Sequence, residues 1–327
     1  MYPIETFLQN TERAALMPGP TPLHRLRAPS PRPDVSLWIK RDDMTGIGPG
    51  GNKIRSLEYI LGEALASGAT KVLTSGPEQS NLCALTAAAC ARVGLPCELV
   101  INSGEPERKE GNLLLAQLLG TKIHFLGPCG GDARNRRMEE LAAAYAAAGE
   151  RPFVVRNGAT TGRGALGYTA AAVELARQRR ELGLERMTVF APGGNGGVAA
   201  GLIYGNALIG SPLRIVIVSV EDDRDTLLRH IQATIRETEH ITGIPMDIPV
   251  EAAAEITDTY RGGGWGQNTP ESGREVLNFA RREGIFIENV YNSKVLVGMN
   301  DWVAAGKVTG PVCYLHTGGL GSLFAQY

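Results

Sequence analysis

The chain has 327 residues and a formal net charge of -1, with 33 Lys and Arg against 34 Asp and Glu. That length is long for a single hydrophobic core, so two lobes are expected, and the balanced charge offers no field for nucleic acid or an anionic membrane. No apolar run approaches the ~18 residues that span a bilayer, and the first residues, Met-Tyr-Pro-Ile-Glu-Thr-Phe, lack a secretory pattern, so the expectation is a cytoplasmic protein with a small-molecule partner.

The first strand-like apolar run covers 36–40. Residues 48–58 follow, Gly-Pro-Gly-Gly-Asn-Lys-Ile-Arg-Ser-Leu-Glu, and their opening residues suit neither a strand nor a stable helix. They read as a tight turn delivering Asn52 and Lys53 to a helix start. Two readings of Lys53 are open: a solvated side chain after a glycine loop, or a nucleophilic amine able to form a Schiff base with a carbonyl compound. A strand over 71–75 then leads through Thr-Ser-Gly-Pro-Glu-Gln-Ser-Asn-Leu, 74–82, into a helix over 81–93. Ser80 or Asn81 caps that helix, and free N–H and hydroxyl groups there also suit a substrate carboxylate.

Further strands are expected at 97–102, 123–126, 152–155, 187–190, 214–220 and 312–315, with helical spacing at 136–148 and 165–178. Such alternation implies an α/β fold, parallel sheets with helices on both faces and ligands at the carboxyl ends of strands. Residues 191–202, Ala-Pro-Gly-Gly-Asn-Gly-Gly-Val-Ala-Ala-Gly-Leu, form a glycine run between a strand and a small-residue helix. The run suits a single phosphate better than a pyrophosphate, with close helix packing as the alternative. Residues 251–269, rich in Gly and polar groups, read as a long loop. After the last strand comes Leu-His-Thr-Gly-Gly-Leu, 315–320, in which His316 is a general base or a hydrogen-bonded structural residue. Thr317 is the more useful group, because a hydroxyl can bond a neutral heterocyclic nitrogen. The five cysteines, Cys83, Cys90, Cys97, Cys129 and Cys313, lack disulfide or zinc spacing and read as buried thiols; no metal is expected.

Taken in order, Gly-Gly-Asn-Lys ending at Lys53, Gln79-Ser80-Asn81, the glycine run and His316-Thr317-Gly318-Gly319 resemble the pyridoxal-phosphate enzymes of the D-cysteine desulfhydrase and 1-aminocyclopropane-1-carboxylate deaminase family. The likeness also passes through Thr21-Pro22-Leu23, Ile39-Lys40-Arg41-Asp42-Asp43, Gly111-Asn112-Leu113-Leu114-Leu115 and Gly164-Ala165-Leu166-Gly167-Tyr168, so it covers nearly the whole chain. It implies a two-lobed, tryptophan-synthase-β-like fold (fold type II), with a large cofactor-binding domain from 1–56 plus 165–327, a small domain from 57–164, and a homodimer. Lys53 would hold pyridoxal 5'-phosphate as a Schiff base, Asn81 would bond its ring hydroxyl, and Gly194, Asn195, Gly196 and Gly197 would cup its phosphate. Thr317 would face its pyridine nitrogen. Ser80, Asn81 and Leu82 would meet the substrate, with Trp265 and Tyr291 on the substrate side; Lys53, Ser80 and Tyr291 form the expected catalytic set.

The departures concern the same groups. Leu82 and Ala84 replace polar residues of the family, Ser56 replaces a lysine, and Val198 replaces a threonine that ends the phosphate cup. Trp265 stands where many relatives have tyrosine. Asn292 and Thr317 stand where the cyclopropane-opening enzymes have glutamate and leucine. The expected reaction is therefore β-elimination from a small amino acid, D-cysteine by default, giving pyruvate, ammonia and the leaving group. The alternatives are β-replacement, racemisation or another deamination on the same fold, or a degenerate homologue that binds a metabolite without turnover.

Overall fold

The structure, a computed structural model, describes residues 1–327. In chain order its elements are α1 (Pro3–Asn10), β1 (Leu23–Arg25), β2 (Val35–Arg41), α2 (Lys53–Ala66), β3 (Lys71–Gly76), α3 (Asn81–Val93), β4 (Cys97–Ile101), α4 (Gly111–Leu118), β5 (Lys122–Phe125), α5 (Gly131–Ala147) and β6 (Pro152–Val155). Then come α6 (Gly162–Glu181), β7 (Met187–Gly193), α7 (Gly197–Leu208), β8 (Leu213–Ser219), α8 (Arg224–Thr242), α9 (Val250–Ala253), β9 (Ala254–Thr257), α10 (Pro270–Glu283), α11 (Asn292–Ala304), β10 (Gly310–His316) and α12 (Leu320–Leu323). No helix is long and apolar enough to cross a membrane. The elements divide between two compact units.

The larger unit comprises Met1–Thr11, Gly19–Met44 and Thr160–Gly318. Its six-stranded sheet has the order β1-β2-β10-β7-β8-β9, parallel except for β1. Every residue of β7 is buried, as expected of a parallel strand covered on both faces. Ile215, Val216, Ile217 and Val218 of β8 are at most 1% exposed, and each such side chain contributes about 1.5–3 kcal/mol of burial energy. Residues from three of the sequence motifs meet beneath this sheet. The buried Lys40 ammonium donates to the Glu174 carboxylate, to the Thr21 carbonyl at 2.6 Å and to Gln178 at 2.8 Å. Asp42 accepts the hydroxyls of Thr21 and Tyr168, each at 2.7 Å. A charge this deep is tolerated because its donors are satisfied.

The smaller unit comprises Glu12–Pro18, Thr45–Ala159 and Gly319–Tyr327, around a parallel sheet of order β5-β4-β3-β6. On one face, Ile54, Leu57 and Leu61 of α2 pack with Leu82 and Leu85 of α3; on the other, Met138 and Leu141 of α5 cover Leu73 and Val100. The division falls at Thr45 and Thr160, where 57 and 165 were expected. The expected limits would cut α2 and α6, both continuous helices, and Lys53 lies in the smaller unit. Residues 251–269, expected as a loop, contain the end of α9 and all of β9, which pairs parallel with β8. Four residues, Ala-Glu-Ile-Thr, are too few to display a period of two.

Candidate functional site

In the smaller unit, Lys53 is the first residue of α2. The preceding turn is tied by the Gly51 N–H to the Thr45 hydroxyl at 3.1 Å and by the Gly50 N–H to the Ile47 carbonyl at 3.0 Å. Its half-buried ammonium donates to the Gly158 carbonyl at 2.8 Å. Ser80 is the N-cap of α3 and its hydroxyl accepts from the Cys83 N–H at 3.2 Å. Asn81 and Leu82 occupy the next two positions, whose N–H groups have no acceptor within the helix. The Asn81 amide oxygen accepts from Asn112 at 2.8 Å, which leaves the Asn81 NH2 to donate elsewhere. The Leu82 side chain is only 3% exposed and belongs to the core, so what it presents to a ligand is its backbone N–H.

In the larger unit, the loop Gly194, Asn195, Gly196 joins the end of β7 to the start of α7. Gly196 is the N-cap, with φ of 88°, a conformation that an L side chain would strain. The first carbonyl bond of α7 runs from Ala200 to Gly196 at 2.8 Å, so the N–H groups of Gly197, Val198 and Ala199 point out of the helix start without intrahelical partners. They form a positive, donor-rich cup for an anion. The Thr160 hydroxyl oxygen lies 3.0 Å from where a Cβ on Gly197 would stand, which brings a side-chain donor to the same helix start. The position of a Cβ on Gly194 lies 3.5 Å from the Tyr291 ring and 3.6 Å from the Glu221 carboxylate.

Beyond β10, Thr317 donates to the Asn292 amide oxygen through its N–H at 3.0 Å and its hydroxyl at 3.2 Å. The Tyr314 hydroxyl donates to the same oxygen at 2.6 Å. The Asn292 NH2 donates to the Gly318 carbonyl and to Glu288, each at 2.7 Å, which fixes the orientation of the amide. Glu288 also accepts the N–H groups of Val290 at 2.6 Å, Tyr291 at 3.0 Å and Asn292 at 2.8 Å. Burial raises its pKa, and those donors oppose the rise. Tyr291 accepts the Trp265 indole N–H at 2.6 Å; burial lifts its pKa above the usual phenol value, with the Glu221 and Glu288 carboxylates adding to the rise. His316 is buried and hydrogen-bonded at both ring nitrogens, accepting from Gly318 N–H at 3.2 Å and pairing with the Phe286 carbonyl at 2.9 Å. Burial lowers its pKa, so it is a neutral structural residue. Sequence reasoning missed Thr160 and Glu288. For Glu288 a signal existed, an acid preceding a helix start; for Thr160 there was none, because its role arises only when two helix starts meet.

A family model described as "Pyridoxal-phosphate dependent enzyme" matches residues 14–318. A putative 1-aminocyclopropane-1-carboxylate deaminase of Pyrococcus abyssi is 32% identical over 325 residues, 99% of this chain and 97% of its own. A D-cysteine desulfhydrase of Klebsiella pneumoniae is 32% identical over 324 residues, 96% of each chain. The crystal structure of an ACC deaminase homologue superposes with a TM-score of 0.90 at 32% identity, covering 99% of this chain and 97% of that one. O-ureido-L-serine synthase, at 17% identity and a TM-score of 0.66, shares the fold. With a match over nearly its whole length, this chain belongs to the pyridoxal-phosphate dependent enzymes and has their fold-type II architecture.

Proposed function

We propose that this enzyme is a lyase that removes a β-substituent from a small amino acid, with D-cysteine the first substrate to test, giving pyruvate, ammonia and the leaving group. The observation that carries this reading is the neutral partner at residue 317. A ring nitrogen at the Thr317 hydroxyl, which would turn its one proton from the Asn292 amide oxygen to that nitrogen, would meet a neutral group and not a carboxylate that holds a proton on it. That setting favours rapid expulsion of a β-group over a long-lived carbanion. The donor chemistry fits pyridoxal phosphate: a primary amine at Lys53, an amide donor at Asn81, a hydroxyl at Thr317, and for the phosphate three helix-start N–H groups with Thr160 beside them.

Bound by these groups, the cofactor supplies an aldehyde that condenses with amines and a ring that withdraws electrons from the substrate's α-carbon. Lys53 would hold the cofactor at its aldehyde carbon in the resting enzyme and, once an incoming substrate amine has displaced it, its free amine would be the base for the α-proton. The N–H groups of Asn81 and Leu82, with the Ser80 hydroxyl, bind the α-carboxylate. Gly194, Asn195, Gly196 and Gly197 receive the phosphate, and Thr160 supplies the hydroxyl that Val198 lacks. Tyr291, its proton retained by a raised pKa, faces the β-substituent, and Trp265 bounds that side. A cytoplasmic homodimer belongs to the same reading, supported by the resemblance and by the exposed apolar side chains Leu114 and Leu118 on α4.

The test is a spectrum followed by a substrate panel. Purified protein should carry the visible absorbance of covalently held cofactor, Lys53→Ala should lose it, and pyruvate should form from D-cysteine. Absence of pyruvate from every D- and L-amino acid with a β-leaving group would overturn the reading. A second reading, β-replacement or racemisation, rests on Trp265, whose indole donates to Tyr291 where a phenol could relay protons. Exchange of the α-proton without pyruvate would favour it.

A further inference from the structure

The bond between Trp265 and Tyr291 can run in one direction only. An indole N–H donates and never accepts, so at 2.6 Å it gives its proton to the Tyr291 oxygen, and the phenol proton must be used elsewhere. Two phenols in these places could exchange roles; an indole and a phenol cannot. Trp265 itself is 44% exposed and stands among Gly262, Gly263, Gly264 and Gly266, so its own packing does little to hold it.

The turn that carries it is held from α11. Lys294 lies three residues after Tyr291 and is 1% exposed; its ammonium donates to the carbonyls of Val220 at 3.2 Å, Arg261 at 2.7 Å and Gly264 at 2.8 Å. Three donors thus meet three backbone acceptors, two of them in the turn just before Trp265. The Arg261 and Gly264 carbonyls also accept the Gly264 and Gln267 N–H groups, each at 3.2 Å, which close the turn on itself, so an apolar side chain at 294 would remove the bonds that tie the turn to α11.

We propose that Lys294 is a positioning residue: by pinning the Arg261 and Gly264 carbonyls it holds Trp265 as a fixed donor and commits the Tyr291 hydroxyl to donate toward the substrate. This rests on the reading of Tyr291 as a substrate-side residue, and it names the substrate class more closely. The leaving atom is one with a lone pair to accept that hydrogen bond, sulfur or oxygen, and not carbon.

The test reads the indole directly, without substrate. In holoenzyme labelled with 15N at tryptophan, the indole N–H signals of Trp38, Trp265 and Trp302 are separable, and Trp265→Phe identifies the one that matters. Lys294→Met should move the Trp265 signal toward that of a free indole, leave the other two in place, and raise KM about fivefold. The double variant with Trp265→Phe should lose no more than Trp265→Phe alone, because both changes break one device. A folded Lys294→Met whose Trp265 signal stays in place overturns the proposal, as do losses that multiply. Should Lys294→Met fail to fold, Lys294→Gln, which keeps part of the donor set, is read the same way. Tyr291→Phe, which removes the acceptor, should shift the same signal; no shift there also overturns the proposal. Shifts as expected with no turnover of D-cysteine would instead reject the assigned substrate and leave the positioning role standing.

Discussion

At Asn292 one neutral amide carries five hydrogen bonds, three into its oxygen and two from its nitrogen. Asn292→Asp would turn the donor facing Glu288 into a second carboxylate and leave the Gly318 carbonyl unpaired. The expected cost is about 3 kcal/mol of folding free energy, read from urea melts monitored by circular dichroism. A nearly unchanged midpoint would show that the network is looser than its distances imply. Thr160 is the matching case for affinity. If its hydroxyl donates to the phosphate, Thr160→Val should weaken cofactor binding about tenfold to a hundredfold, the equivalent of one charge-assisted bond, while Thr160→Ser stays near the parent. Titration of apoprotein with pyridoxal phosphate, followed by visible absorbance, decides this, and equal affinities for the three proteins would remove Thr160 from the site.

At the level of elements, α3 shows how a local signal and a ligand site share one helix start. Ser80→Ala removes the cap to Cys83 and should cost about 1 kcal/mol of stability, with a raised KM and an unchanged cofactor spectrum. The smaller sheet carries a different device. Glu98 of β4 is bonded to His124 at 2.7 Å and Tyr145 at 2.7 Å, with Lys71 and Lys122 at 3.5 Å. Burial pushes its carboxyl up, but the His124 and Tyr145 bonds and the two ammonium charges outweigh it and hold its pKa at about 2. A depressed carboxyl pKa stabilises the fold above the unfolded value near 4.5, and that stabilisation is lost as pH falls toward 2. Glu98→Gln should therefore be less stable by about 2 kcal/mol at pH 7 and lose less than the parent between pH 4.5 and 2. Parallel acid curves for the two proteins would contradict this. The strands that the sequence made legible carry continuous apolar runs: the expected 71–75 and 187–190 lie inside the buried β3 and β7, and 152–155 is β6, a partly buried edge strand with the run Phe153-Val154-Val155. β1 and β9 escaped because Leu-His-Arg and Ala-Glu-Ile-Thr are short and hold no two adjacent large apolar residues to mark a strand.

Over the whole molecule, the groups readable in advance were those whose chemistry lies in a contiguous motif: Lys53 after its glycine turn, Ser80 and Asn81 at a helix start, the glycines after β7. Thr160 and Lys294 could not be read that way, because each acts on a backbone that the chain reaches 30 or more residues away. The division of labour between distant stretches has a measurable consequence. The proposed function gives roles toward one cofactor to Lys53 and Asn81 of the smaller unit and to the 194–197 loop of the larger. Adding pyridoxal phosphate to apoprotein should therefore slow amide hydrogen exchange both at the start of α3 and at Gly197, Val198 and Ala199. A ligand held by either stretch alone would protect only that one. Lys53→Ala separates the contributions further: without the covalent hold, protection at the start of α7 should persist at high cofactor concentration, since the phosphate alone supports it, and should fade on dilution. Protection confined to one unit in the parent protein would break the assignment of these residues to a single cofactor.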